Sequence, residues 1–210
     1  MVSRLLGWLI ANVSYGYREV PRYPEETLAE GLGDCDDQAI LLVAMCRSLG
    51  IPAILQVGVI FNEGIRSERS AWGGHLRVEQ RGVGWHGWAL VYMPPWGWLP
   101  VDMTLVASRD PLSRIAEDPE RQRNVVACFN VSRQEYVGDS ILSRARLMSS
   151  ELHVTVSDAL ISSAAIEEEP RVGAKTAPDT VLIIAAGSIV LVAVILIGRR
   201  WARGVEEGML

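Results

Sequence analysis

Cys35 stands in "GLGDCDDQAILLVAMC", where glycine and acid give way to apolar residues at helical spacing. A cysteine at such a helix start meets free backbone N–H groups and the positive end of the helix dipole, which favour a thiolate. The same N–H groups can hold an oxyanion. A small buried thiol filling space reads equally well from this segment alone. A thiolate nucleophile needs a base that later returns the proton, a task suited to histidine near neutral pH. The chain has three histidines: His75, His86 and His153. His86 opens the strand-like run "HGWALVY", and Asp102 ends the next one, "GWLPVD". Joined by the "MPPWG" turn as antiparallel neighbours, these runs would bring His86 and Asp102 together although they lie 16 residues apart. An acceptor on the second imidazole nitrogen would fix tautomer and orientation. An aspartate at a strand end serves equally as a turn cap.

The elements that must position these groups follow from periodicity. Residues 3–13 read as a short amphipathic helix. From Cys35, positions Ala39, Leu42, Val43, Cys46 and Leu49 recur at helical spacing. Gly50 and Pro52 end that helix. Cys46, mid-helix on the apolar face, reads as core. Strands are expected at Ala53–Phe61, His75–Gln80, Trp85–Met93 and Trp98–Asp102, with Asn62–Gly74 as a polar loop that binds or covers. Beyond Thr104, helices are expected at Asp110–Glu117 and about Arg121–Ser149, and one more strand in "ELHVTVSDALI".

"GDCDDQAILLVAMCRSLGIPA" followed by "WHGWALVYMPPWGWLPVD" resembles the transglutaminase-like superfamily, a branch of the papain-like cysteine enzymes. The likeness rests on Gly33, Cys35, Asp37 and Ala39; on Arg47, Gly50, Ile51, Pro52 and Ala53; on His86 and Trp88; and on Gly97, Trp98, Pro100 and Asp102. It covers roughly residues 3–105. It implies an α+β fold with the cysteine helix packed on an antiparallel sheet. It also implies a triad with Cys35 as nucleophile, His86 as general acid/base and Asp102 as orienter. Acylation of Cys35 by an amide would give a thioester, resolved by water or by an amine. Gly87 departs from the family pattern, which often has alanine there, and Met103 replaces a usual proline. His75 partly imitates the histidine strand, but no Gly-Trp-x-Pro-x-Asp follows it closely. Tyr15, Trp85 and Trp88 are expected to line the substrate cleft, with core packing the alternative for each tryptophan. Tyr15 or Tyr17 would supply a phenolic oxyanion donor unless structural.

Composition sets the frame. The chain has 210 residues, 49% of them hydrophobic, and a net charge of −5 with no basic stripe, which argues against a nucleic-acid partner. Three cysteines without CxxC or paired histidines give no support to a metal site, and no cofactor is implied. A Cys46–Cys128 bridge stays arithmetically open. Thr180 to Gly198 is an uncharged run of 19 residues, and as a helix it would span roughly 28 Å, close to a bilayer's hydrocarbon thickness. Arg199, Arg200 and Arg203 follow it, so the tail is expected in the cytoplasm and the preceding domain outside. "LLGWLIA" only weakly imitates a signal peptide, so either a start lies upstream or the domain is cytoplasmic on a tail anchor.

The expected organisation is therefore a catalytic core at 1–105, a helical and strand extension packed on it at 106–161, a linker at 162–179, a membrane helix at 180–198 and a basic-start tail at 199–210. The expected activity is amide or peptide acyl transfer on a protein or peptide substrate, hydrolysis ahead of cross-linking. The alternative is a catalytically silent peptide-binding domain on a membrane anchor.

Overall fold

The computed structural model describes residues 1–105, 110, 112–116, 125–131 and 135–161. The expected linker, membrane helix and tail lie outside the described residues. Among the described residues no helix is long and apolar enough to cross a membrane.

The chain runs α1 (Val2–Asn12), β1 (Ser14–Tyr15), α2 (Pro24–Glu30), β2 (Leu32–Gly33), α3 (Cys35–Ser48), β3 (Ala53–Ala71), a 3-10 turn (Trp72–Gly74), β4 (Leu76–Met93) and β5 (Gly97–Val101). Then come α4 (Ser113–Ala116), β6 (Val125–Val131), α5 (Glu135–Met148) and β7 (Val154–Ala159). The main sheet has strand order β5-β4-β3-β6, antiparallel throughout, and β7 adds to β4 in parallel. This is a mixed α/β architecture with a curled antiparallel sheet and α3 against one face.

The ends of α3 are set by local chemistry. Asp34 is its N-cap: its carboxylate accepts the Asp37 N–H, and the Asp37 carboxylate accepts the Asp34 N–H, a reciprocal capping box. At the other end Gly50 takes a φ of 72°, and the Ile51 N–H reaches back to the Cys46 carbonyl. That is the paired closure that a left-handed glycine permits. The inward side of α3 carries Leu42 and Cys46, both fully buried, against Leu6 and Leu9 of α1 and Val91 and Val101 of the sheet. Each such aliphatic side chain contributes about 1.5–3 kcal/mol by leaving water.

Two expectations are corrected, and one open possibility is closed. Asn62–Gly74 is not a loop. β3 continues through Ala71 and pairs with β4 as a long ribbon, interrupted by a register shift between Phe61 and Arg66. The alternation in "IRSERSA" supports a two-faced strand, and only Trp72–Gly74 makes the turn. Within the expected helix 121–149, Val125–Val131 is instead strand β6, as its β-branched "VVACFNV" favours. Cys46 and Cys128 are free, one buried and one exposed, so no bridge joins them.

The pairing leaves a gap that matters for the site. Along the β4 edge away from β3, β7 covers residues 76–81 and β5 covers residues 89–93. Residues 82–88 of that edge have no strand partner among the described residues, and the first turn of α3 meets them there. Close approach on the other side of that turn requires glycine. A Cβ on Gly33 would lie 2.7 Å from Asp37 Cβ and 3.0 Å from Thr27 Cγ2. Gly33→Ala is therefore expected to lower the unfolding free energy by about 2 kcal/mol through overpacking, read by urea titration. An unchanged midpoint would show that the first turn of α3 moves freely.

Candidate active site

Cys35 is the first residue of α3, half-buried, and its sulfur accepts the backbone N–H of Gly87 and of Asp36. Gly87 follows His86 on the unpaired β4 edge, so the hydrogen bond ties the helix start to the histidine strand. A Cβ on Gly87 would sit 3.1 Å from Asp36 Cβ and 3.2 Å from Asp36 Cα. The glycine that departs from the family pattern is thus where strand and helix touch most closely.

His86 is 5% exposed and Asp102 is fully buried. His86 Nε2 lies 2.5 Å from Asp102 Oδ2. The other carboxylate oxygen accepts the Thr104 N–H at 2.7 Å and the Leu105 N–H at 2.9 Å. Asp102 is therefore both a turn cap and the imidazole's partner. Burial pushes its carboxyl up, but the His86 hydrogen bond, the His86 charge and the two backbone N–H groups outweigh that, and the net shift is downward. An ionised carboxylate can only accept, so Nε2 carries a proton, and in the neutral imidazole Nδ1 keeps its lone pair. Arg114, buried on α4, donates to the Met103 carbonyl and adds its positive charge near Asp102.

The thiol is treated differently. Burial pushes Cys35 up from its ordinary value, and the charges of Asp36 and Asp34 push the same way against the two N–H groups. The helix start alone led us to expect a lowered thiol. Burial and the acids overturn that. Asp36 is itself raised, by burial and then by its hydrogen bond with Asp34. The ligand atoms of Asp34, Cys35 and Asp36 lie within 4.8 Å of one another.

Cys35 and His86 line one cleft of about 350 Å³ with Tyr15, Arg69, Trp85 and Tyr136. Tyr15 and Trp85 are thus on its wall, and the Trp85 Nε1–H donates to Asp158 Oδ2 at 2.9 Å. Trp88 is not on the wall, which corrects the expectation. It has the same strand parity as His86 and is fully buried, with its ring 5.8 Å from the imidazole. Its Nε1–H donates to Gln56 Oε1 at 2.8 Å, and Gln56 in turn donates to Asn130 at 2.8 Å. Trp88 backs the histidine. Tyr17 lies under the Arg69 guanidinium, 4.8 Å from its ring centre. His75 and His153 stack on each other at 4.7 Å, and each ring bonds to a backbone carbonyl, so neither joins His86.

Sequence reading missed Gln38, Gln56, Arg114 and Tyr136. Gln38 donates to the Gly33 carbonyl at 2.9 Å and holds the strand before Cys35. Its position inside the cysteine motif was the available signal. Gln56, Arg114 and Tyr136 come from distant segments, and local patterning carries no mark of their meeting.

Residues 1–103 match the family model described as the transglutaminase-like superfamily, a transglutaminase-like domain over that stretch. No curated protein matches the chain. Among solved structures it is similar to the "Putative Cysteine Protease from Cytophaga hutchinsonii", at 22% identity and a TM-score of 0.37. That likeness covers 62% of this chain and 40% of the other, so this chain spans about two fifths of the length of that protein.

Asp37, fully buried, accepts the Arg22 N–H at 2.7 Å, yet burial and the nearby Asp34 raise its carboxyl from the usual 3.8 to about 6. The protonated form is the one the fold favours. Its stability contribution is complete below pH 3.8 and is lost as pH rises through about 6. Chemical denaturation between pH 4 and 7 is expected to show this fall. Asp37→Asn should flatten it while costing about 1 kcal/mol for the lost acceptor. An unchanged pH slope in the variant would contradict the assignment.

Proposed function

We propose that this chain is a thiol enzyme that transfers an acyl group from an amide or peptide through Cys35, with water as the usual acceptor. The observation that carries the reading is the buried 2.5 Å contact between His86 and Asp102, opening on the same cleft as the sulfur at the head of α3. Because burial and acids keep Cys35 protonated at rest, His86 acts as a base during attack rather than from a standing ion pair. The thiol proton passes to Nδ1 as sulfur bonds to the carbonyl carbon. The carbonyl π pair moves to oxygen, where the Cys35 N–H, unpaired at the helix start, receives it. Collapse expels the amine, which takes the proton from His86. Water, activated by the same imidazole, then releases the acid from the thioester. Hydrolysis is favoured over cross-linking because water always competes and no group in the cleft marks an amine site.

The second reading is a peptide-binding domain that does not turn over. What favours it is the placing of the Cys35 thiol out of water beside Asp36 and Asp34, which pushes it up. The two readings separate with p-nitrophenyl acetate as acyl donor and no added amine. The proposal expects p-nitrophenolate release that continues beyond one equivalent, no release above background with Cys35→Ala, and a loss between about 100- and 10,000-fold with His86→Ala. Release that persists unchanged in Cys35→Ala would refute the enzyme reading.

We further propose that Thr180 to Gly198 anchors the domain in a bilayer, with the arginines after it on the cytoplasmic side and the domain outside. The full chain is then expected in the membrane pellet after alkaline carbonate washing, and a chain ending at residue 161 in the supernatant. Release of the full chain by carbonate would contradict the anchor.

A further inference from the structure

The geometry points to Tyr136 as a catalytic residue, its phenolic O–H donating to the oxyanion that forms when Cys35 is acylated. This rests on the thiol-enzyme reading and supplies what that reading leaves incomplete, a second donor beside the Cys35 N–H.

Tyr136 belongs to the first turn of α5, outside residues 1–103 that form the transglutaminase-like domain. Its ring packs against Ala39, Leu55 and Val57. Ala39 lies one helical turn beyond Cys35 on the same side of α3, so this packing sets the ring over the cysteine's face of the helix. The ring forms a wall shared by the catalytic cleft and an apolar cavity of about 280 Å³ lined by Ile40, Val43 and Leu55. The backbone of α5 is held close as well, since a Cβ on Gly138 would meet the Tyr23 hydroxyl at 3.1 Å.

The side chain is partly buried, and its hydroxyl makes no hydrogen bond to a protein group among the described residues. A phenol in that state faces the cleft with a donor to spare. Burial raises Tyr136 well above its ordinary value, and the charges of Asp36, Cys35, Asp34 and Asp37 add to the effect. The group therefore stays protonated wherever the enzyme works.

Tyr15 is the competing phenol. It comes from β1, paired with Gly33 two residues before Cys35, and it also lines the cleft. It is 63% exposed, so water already serves its hydroxyl. A donor in water stabilises developing charge far less than one held in a drier site. Tyr136, partly buried against α3 and β3, is the stronger of the two.

The test compares two reactions of Cys35 in the full chain. Acylation by p-nitrophenyl acetate forms the S–C bond, moves the carbonyl π pair onto oxygen and then breaks the bond to p-nitrophenolate. Alkylation by iodoacetamide forms an S–C bond with loss of iodide and passes through no oxyanion. Tyr136→Phe is expected to slow acylation about 100-fold while leaving alkylation unchanged. A monofluorinated tyrosine at 136, a stronger donor of the same shape, should speed acylation alone. If both reactions fall together in Tyr136→Phe, or if acylation does not change, the proposal is overturned. If Tyr136→Phe does not fold, the fluorinated chain decides, and equal acylation there overturns the proposal. Absence of Cys35-dependent acylation in the unsubstituted chain is a different result and overturns the thiol-enzyme reading itself.

Discussion

The fully buried carboxylate of Asp102 is the constraint on which the rest of the site depends. An unpaired carboxylate in a dry interior would take up a proton or disrupt the fold. Here His86, Thr104 and Leu105 donate to it, and the sum holds it ionised against the pull of burial. Once Asp102 is ionised, the imidazole has no choice of tautomer. The direction of its free lone pair follows, and so does its suitability as a base. The neighbouring structure serves this bond. Trp88 backs the ring, Gln56 anchors the indole of Trp88, and Arg114 places a positive charge near the carboxylate.

The sheet shares the burden through an interruption. Because β5 and β7 leave residues 82–88 of the β4 edge without a strand partner among the described residues, the Gly87 N–H is available to the Cys35 sulfur. The start of α3 takes the place of a missing strand. Glycine at 87 permits the approach, and glycine at 33 permits the turn that precedes it. The same start carries Asp34, Asp36 and Asp37 around the thiol. Asp34 and Asp37 cap the helix, so their acidity is a price of its placement rather than a means of activation. The consequence is a nucleophile that rests as a thiol and depends on the histidine at the moment of attack.

Much of this was legible in the sequence because the signals are local. The helix from Cys35 to Gly50 has its cap, period and stop within 16 residues of chain. His86 and Asp102 are linked by one short hairpin, so antiparallel pairing alone predicts that they meet. The long ribbon was harder: polar residues at Asn62–Gly64 look like a loop and fall in the register break, and the strand resumes beyond them because Arg66–Ala71 pairs with Leu76–Arg81. Trp88 was misplaced because aromatic character alone does not tell a cleft wall from a backing layer. Strand parity with His86 was the available clue. Tyr136 lay beyond reach, since its approach to Cys35 depends on how α5 packs across β3 and α3, a contact spanning half the chain.

The most direct test of the account is the protonation state of one imidazole. In protein labelled with ¹⁵N-histidine, the neutral His86 ring, its resonances assigned by their loss in His86→Ala, should carry its proton on Nε2, shifted downfield by the short bond to Asp102, and none on Nδ1. The downfield signal should disappear in Asp102→Asn. A proton resident on Nδ1 would contradict the account, because the nitrogen meant to accept the Cys35 proton would already hold one.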